Sequence, residues 1–189
     1  MSTYPVVYEQ TPAVKRSRLT VFFRIIMVIP HFAVSFFYGI AAWIGVVLAW
    51  VAIVVTGRYP EGLYNFVAGY LRFTMRLSAY MYLVTDEFPP FNGGEHPEHS
   101  VRLYIPERQN RYSRLKTFFR FILYIPVAIL LYIFLIWIEA VAIALWFVAV
   151  IAGRTPEGFS GASGFPLAYV ARAYAYGFLL TDRWPPLDD

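Results

Sequence analysis

The chain has 189 residues, of which 59% are hydrophobic and 20% aromatic, and its formal net charge is +4. This composition is too apolar for an ordinary soluble domain, and the absence of cysteine excludes disulfides, thiolate metal sites and cysteine nucleophiles. Basic residues cluster beside long apolar segments, which suits an anionic membrane surface better than nucleic acid. The polar N-terminal stretch MSTYPVVYEQTPAVKR lacks the pattern of a secretory signal peptide.

The first predicted elements are a short strand and a basic helix. Alternating apolar and polar residues in YPVVYEQ, at positions 4–10, allow a strand. The segment that follows is predicted to be a helix at the membrane interface, ended or kinked by Pro30. Its basic residues are Lys15, Arg16, Arg18 and Arg24.

A long apolar helix comes next. Residues 25–55 contain no Asp, Glu, Lys or Arg. A helix over 31–56 would be roughly 39 Å long, enough to cross a ~30 Å hydrocarbon core. The turn GRYPEG follows, in which Gly57 ends the helix, and we interpret Arg58 and Glu61 as a cap with a local ion pair.

The second helix of this unit, predicted over 63–84, is less apolar. It carries a polar stripe that should face a bundle interior, a cavity or the interface rather than lipid. The stripe consists of Asn65, Gly69, Arg72 and Arg76. The motif T-D-x-x-P-P then closes the unit at Asp86, because two prolines cannot continue a helix.

The rest of the chain repeats this plan 96 residues later. SRLTVFFRIIMVIP (17–30) aligns with SRLKTFFRFILYIP (113–126), and GRYPEG aligns with GRTPEG. Over 17–91 against 113–187, 26 of 75 positions are identical without a gap. Because Arg, Pro, Gly and Asp recur in register, we interpret the chain as a tandem duplication.

The second unit therefore has the same predicted elements. The strand-like segment SVRLYIP could pair with YPVVYEQ across the two halves. A basic interfacial helix precedes Pro126, an apolar span covers 127–152, and a less apolar helix covers 159–180. The basic residues are Arg108, Arg111, Arg114, Lys116 and Arg120, and the equivalents of the other motif residues are Arg154, Glu157, Arg172 and Asp182.

These elements predict an all-α integral membrane protein with four transmembrane helices in two tandem parallel repeats. Repeat 1 covers 1–91, a linker covers 92–99 and repeat 2 covers 100–189. Both basic clusters precede a first span, so the positive-inside tendency places both termini in the cytoplasm and the repeat axis near the membrane normal. In the alternative topology each second helix lies along the surface and each unit crosses only once.

The quoted motifs resemble a known family. The pattern R-x-x-x-x-x-P, then G-R-x-P-E-G, then R-x-x-x-Y, then T-D-x-x-P-P-F is similar to that of the bacterial membrane family known as domain of unknown function DUF4389. The resemblance covers nearly the whole chain as two copies and implies a bacterial inner-membrane protein, but no activity. The second copy departs from the pattern at Leu187, which replaces Phe, and at Ala168, which stands opposite Arg72.

Several arginines are candidate sites for a lipid phosphate or another anion. They are Arg24, Arg72, Arg76, Arg120 and Arg172. The alternative is that they reach the headgroups or that Arg76 and Arg172 pair with Asp86 and Asp182 of the closing motifs.

Glu139 is the one charged residue of 121–153, opposite Trp43 of the first repeat. A lone intramembrane carboxylate is either protonated or paired. It could be a proton or cation site, a packing contact with Arg72, Arg76 or Arg172, or part of a surface against another subunit.

The remaining motifs favour no reaction and no cofactor. The histidines and carboxylates of the seam FNGGEHPEH could bind a metal, but no helix fixes them as ligands. His31 lacks a partner for a haem, because Val127 is its counterpart in the second copy. The chain has no P-loop, dinucleotide fingerprint, HExxH or G-x-S-x-G. We therefore expect a non-enzymatic accessory or scaffold subunit of a membrane complex. Its expected partners are lipids and other membrane subunits or further copies of itself, but not nucleic acid. The alternative is a small oligomeric transporter or channel.

Overall fold

The structure, a computed structural model, describes residues 4–11, 17–156 and 159–187, and the side chains of 162–187 within the last range. Lys15, Arg16 and Glu157 lie outside the described residues. The fold is mostly helical. Its elements are β1 (Val7–Gln10), α1 (Arg18–Met27), α2 (Ile29–Thr56), α3 (Glu61–Met81), β2 (Val101–Tyr104), α4 (Arg114–Phe118), α5 (Arg120–Ala152) and α6 (Phe159–Gly177).

The long helices end where the repeated turn predicts. Gly57 and Gly153 adopt left-handed backbone angles, with φ of 71° and 67°, immediately after α2 and α5. Each donates its N–H to the carbonyl four residues earlier, which closes the helix. Pro60 then precedes α3 in extended backbone, so the turn reverses the chain within a few residues.

The two basic segments end differently, and neither break falls at its proline. In repeat 1 the helix breaks at Val28, and Pro30 lies in the first turn of α2. In repeat 2 the break falls at Phe119, and Pro126 lies inside α5. A proline removes one helical hydrogen bond without having to end the helix, so Pro126 does not end the basic helix, and the predicted alternative of a kink at Pro126 stays a prediction.

The two short strands pair across the halves. β1 and β2 form an antiparallel two-stranded sheet in which Tyr8 is opposite Leu103. This pairing confirms the expectation from the alternating segments. β1 packs on α6 and β2 packs on α3, so the sheet covers the two second helices.

The helices pack as two hairpins that meet along α3 and α6. α2 lies along α3, α5 lies along α6, and α3 contacts α6. Most of the second half of α3 is buried. The core includes Leu71, Met75, Leu167 and Tyr169, all with essentially no exposed surface.

The equivalent helices of the two units run in opposite directions. The Tyr64 hydroxyl at the start of α3 contacts the Leu180 carbonyl beyond the end of α6 at 3.5 Å. The rings of Tyr70 and Phe178 are 5.9 Å apart. The predicted parallel repeat of crossing helices requires α3 and α6 to run the same way, and these contacts show that they do not.

Among the described residues, two helices are long and apolar enough to cross a membrane. They are α2 and α5, with mean hydropathy of 2.3 and 2.7 in their most apolar windows. α3 and α6 do not meet that criterion, so four spans do not follow from the structure.

Candidate lipid-contacting surface and Arg–Asp clasps

Large apolar side chains cover the outer sides of α2 and α5. Phe37, Trp43 and Ile151 are between 69% and 75% exposed. Soluble proteins rarely expose such continuous apolar area. We call the exposed apolar side chains of α1, α2, α4 and α5 the apolar surface, and further members are Phe22, Phe36, Ile40, Val55, Phe121, Ile129, Ile133 and Phe147.

In repeat 1 a buried arginine joins the basic helix to the closing motif. Arg24 is 2% exposed and donates to the Asp86 carboxylate and to the Tyr80 carbonyl. A further bond runs from Arg24 to the Thr85 carbonyl at 3.1 Å. The guanidinium also lies over the Tyr80 ring, 4.2 Å from its centre. The other Asp86 oxygen accepts the Ser17 N–H at 3.4 Å, which ties the start of α1 to the same carboxylate.

Repeat 2 builds the same arrangement. Arg120, 3% exposed, donates to Asp182 at 2.6 Å and lies 3.9 Å from the centre of the Tyr176 ring. The second Asp182 oxygen accepts the Ser113 N–H at 2.9 Å. We call these two arrangements the Arg–Asp clasps.

The clasps change the interpretation of the closing motif. Asp86 and Asp182 bind Arg24 and Arg120, so the predicted pairing with Arg76 and Arg172 is wrong. Arg24 and Arg120 were candidates for binding lipid or another anion, and that role stays a prediction. The carboxylate occupies one terminal nitrogen of each buried guanidinium. The sequence contained an indication of the Arg24–Asp86 and Arg120–Asp182 contacts, because the arginine and the aspartate are 62 residues apart in both units.

The polar stripe of α3 packs against the linker. Arg72 binds Glu95 at 2.8 Å, and Arg76, which is 3% exposed, donates to the Gly94 carbonyl at 2.8 Å. A side chain on Gly93 would collide with the backbone of Gly69. The stripe therefore has a partner that the sequence did not identify, since the linker has no periodicity. Anion binding at Arg72 and Arg76 stays a prediction.

Arg172, the counterpart of Arg76, has a different environment. It is 3% exposed, and its guanidinium lies 5.7 Å from the centre of the Tyr4 ring. The Tyr4 hydroxyl donates to the Arg183 carbonyl at 3.1 Å. The first strand segment therefore covers Arg172 where the linker covers Arg76, and an anion role for Arg172 also stays a prediction.

Glu139 is exposed on α5, at the rim of a groove of about 440 Å³. The groove lies between α1, the end of α3 and α5, and its lining is apolar apart from Glu139, Arg24 and Tyr82. In the part of the chain that the structure describes, no ion pair joins Glu139 to Arg72, Arg76 or Arg172, so the suggested packing contact is not what the structure shows.

The repeated turns present charged side chains at the surface. Arg58, Glu61 and Arg154 are exposed. The Arg58 N–H donates to the Thr56 hydroxyl at 3.2 Å. Within the described residues no ion pair joins Arg58 to Glu61, so the turn is closed by backbone and hydroxyl contacts.

The histidines of the seam are held by neighbouring side chains. His96 contacts Glu98 at 3.1 Å and Asn92 at 2.8 Å through its two ring nitrogens. The pKa of Glu98 is lowered by a hydrogen bond from the backbone N–H of Glu98 and by the contact with His96. His99 is buried and accepts the Val101 N–H at 3.0 Å. Burial lowers the pKa of the His99 imidazole, against the opposite effect of Glu87.

His31, at the head of α2, holds the closing motif of its own unit. It is fully buried, and its Nε2 lies 2.8 Å from the Pro89 carbonyl. Its ring stacks on Phe91 with centres 3.9 Å apart and meets Phe88 edge-on at 4.6 Å. These contacts place the ring in a packed aromatic cluster.

Comparison with known proteins gives a family and no relative of established activity. Neither a curated protein nor a solved structure matches the chain. A family model described as a domain of unknown function, DUF4389, matches residues 18–92 and 114–187. Each match runs from the basic helix through a clasp to the closing motif. The chain therefore belongs to the DUF4389 family and carries its domain twice.

Proposed function

We propose that the protein is a non-catalytic membrane component, an accessory or scaffold subunit of a larger membrane complex, that binds lipid through the apolar surface. The observation that carries this proposal is the continuous exposure of large apolar side chains along α2 and α5. Such a surface is stable only against hydrocarbon or another apolar protein face.

The positions of the polar side chains support a non-catalytic role. The recurring arginines and aspartates of the clasps bind one another, and the arginines of the α3 stripe bind the linker. These groups hold the fold together. A reaction would need such groups to converge on a cavity with substrate access.

The accessory part of the proposal is tested by gentle detergent extraction of the native protein. Mass spectrometry of the purified material should find partner subunits in fixed stoichiometry together with bound lipid. Recovery of the protein with lipid alone would overturn the accessory role and leave lipid binding in place.

Lipid binding is tested by charging the apolar surface. Trp43→Lys and Ile133→Lys should each lower the fraction that stays in membranes after an alkaline carbonate wash, because a lysine in the hydrocarbon region costs about 2.5–3.5 kcal/mol at the centre of a helix. Glu98→Lys, on the linker, is the matched control and should leave that fraction unchanged. Equal losses in all three variants would show general misfolding.

The proposed location is the bacterial inner membrane, with both termini on the cytoplasmic side. The exposed basic residues near the helix ends support it, since they suit an anionic leaflet. Four crossing helices would need α3 and α6 to cross as well, although both are less apolar than α2 and α5.

A small oligomeric transporter or channel is the second candidate. Glu139 on the rim of a 440 Å³ groove is the observation that favours it, because intramembrane carboxylates often mark ion pathways. A flux assay in proteoliposomes should then show transport that Glu139→Gln abolishes. Flux that Glu139→Gln leaves intact would remove Glu139 and the groove from the mechanism.

A further inference from the structure

The direction of the helices constrains how they meet a membrane. The end of α2 lies beside the start of the second unit's helices, where the Trp50 indole donates to the Thr117 carbonyl at 2.9 Å. The end of α5 lies beside α1, where the Trp146 indole donates to the Val21 carbonyl at 3.1 Å. Together with the opposite directions of α3 and α6, these equivalent contacts relate the units by a pseudo-twofold axis perpendicular to the helices.

Such an axis leaves two orientations. If the helices cross the bilayer, the axis lies in the membrane plane, and α2 and α5 cross in opposite directions. If the axis is the membrane normal, the helices lie along the membrane. The segment that connects the two units distinguishes these cases.

Residues 85–113 run beside α3 for its whole length. They start near its C-terminal end, close to the head of α2, and finish near its N-terminal end. The contacts in chain order are His31–Pro89, Arg76–Gly94, Arg72–Glu95, Tyr64–Pro106 and Gly57–Tyr112. If α3 crossed the bilayer, this segment would have to cross with it.

The segment is unsuited to hydrocarbon. Its Glu95 and Glu98 side chains are 76% and 73% exposed. Apart from β2 it has no regular structure, and irregular backbone is not tolerated where it faces lipid. Charged side chains at membrane depth face a bundle interior or water, whereas these two exposed carboxylates would face lipid if the segment crossed the bilayer.

The exposed carboxylates of this segment and the apolar surface therefore lie along different helices of each unit. Residues 85–113 and the β1–β2 sheet, together the polar ribbon, pack along α3 and α6. The apolar surface extends along α2 and α5, whereas the sheet packs on α3 and α6. The direction from the polar ribbon to the apolar surface is thus perpendicular to the helix axes.

We infer that the protein inserts into a single leaflet, with its helices along the membrane and the polar ribbon in the water. This inference rests on the membrane association proposed above. The occupant of the apolar surface is then the acyl-chain region of one leaflet. The pseudo-twofold axis becomes the membrane normal, and both repeated turns emerge on the same side. A helix of 28 or 33 residues needs no match to the bilayer thickness in this orientation.

The test uses the absence of cysteine from the chain. Single cysteines are introduced as Arg58→Cys, Arg154→Cys and Glu98→Cys, which report the two equivalent turns and the polar ribbon, all exposed. A membrane-impermeant maleimide is applied to sealed right-side-out and inside-out vesicles. Single-leaflet insertion predicts near-complete labelling of all three from the same side and background labelling from the other.

The other outcomes overturn the inference in distinguishable ways. Labelling of Arg58→Cys and Arg154→Cys from opposite sides would show that α2 and α5 cross in opposite directions. Labelling of both turns from one side and Glu98→Cys from the other would show the parallel four-helix arrangement. Loss of the protein from carbonate-washed membranes would instead reject the membrane association itself.

Two further variants keep the labelling interpretable. Trp43→Cys lies on the apolar surface and should react only with a membrane-permeable maleimide. Glu61→Cys is a second reporter of the first turn if Arg58→Cys does not fold. Reaction of Trp43→Cys with the impermeant reagent would show that the apolar surface is not in lipid and would overturn the inference.

Discussion

The two repeats keep the same clasps but differ in what lies along their second helices. In repeat 1 the linker follows α3 and binds Arg72 and Arg76. In repeat 2 Ala168 stands opposite Arg72, and the Tyr4 ring lies near the guanidinium of Arg172. The recurring contacts, the clasps, hold each unit together. The contacts that differ are formed with the segment that covers the second helix, which is the linker in repeat 1 and the segment of Tyr4 in repeat 2.

The largest expected effect comes from breaking a clasp. Asp182→Asn leaves the 3%-exposed Arg120 without its carboxylate, and we expect the free energy of unfolding to fall by roughly 3–5 kcal/mol. Asp86→Asn should have a similar but smaller effect, because Asp86 is more exposed, at 23% against 15%. Denaturant unfolding in detergent micelles measures both.

An exposed carboxylate provides the control for the clasps. Glu98→Gln removes a charge of the same sign from the polar ribbon and should leave the free energy of unfolding nearly unchanged, because the side chain is 73% exposed. A clasp variant no less stable than Glu98→Gln would show that the recurring Arg–Asp pairs do not hold the units together.

The next effect concerns a contact that exists only in repeat 1. Gly93→Ala would push a methyl group into the backbone of Gly69, and we expect a loss of about 1–3 kcal/mol. Gly62→Ala, in α3 with open space around it, is the matched control and should stabilise the helix by up to about 1 kcal/mol. If Gly93→Ala were as stable as the wild type, the linker would not be held against α3.

These contacts show what the sequence could and could not predict. The glycine helix ends were predictable because they depend on residues close together in the chain, and the repeat was predictable because 26 of 75 positions recur in register. The Arg24–Asp86 contact joins positions 62 residues apart, and only the equal spacing in the second copy indicates it. The linker has no periodic pattern, so nothing in it predicted contact with Arg72 and Arg76.

The relative direction of the equivalent helices could not be predicted from the sequence for another reason. Length and hydropathy predict that α2 and α5 are able to cross a bilayer, but they do not say which way the helices run. Basic flanks suggested the same direction for both units. The Trp50 and Trp146 contacts across the units show that equivalent helices run in opposite directions.

Substitution of these two tryptophans allows the stability of the two interfaces between the units to be compared. Trp50→Phe and Trp146→Phe each remove one hydrogen bond to a carbonyl of the other unit and keep most of the aromatic packing. We expect each to lower the free energy of unfolding by about 0.5–1.5 kcal/mol. The double variant should show additive losses, because the two contacts lie in different interfaces. Equal stability of both single variants and the wild type would mean that these bonds do not fix the relation between units.

The smallest expected effect is a pH dependence of the free energy of unfolding that comes from His99 in the linker. Burial lowers the pKa of His99 below the usual value near 6.5, so the unfolded chain binds a proton that the folded chain does not in the window between the two values. The free energy of unfolding should therefore fall as the pH drops below about 6.5, and level off below the folded pKa. Glu87 favours the protonated form and Arg76 opposes it, while Val101 N–H occupies Nδ1.

His99→Gln isolates this contribution from the other histidines. The difference in unfolding free energy between wild type and variant should be constant above pH 8 and should shift in favour of the variant as the pH falls through the same window. Glu87→Gln removes the group that opposes the burial effect, so it should steepen the decline in the wild-type background. A difference that does not change with pH would place His99 in contact with water, and the linker would then be less tightly packed on α3 than the Arg76 and Arg72 contacts indicate.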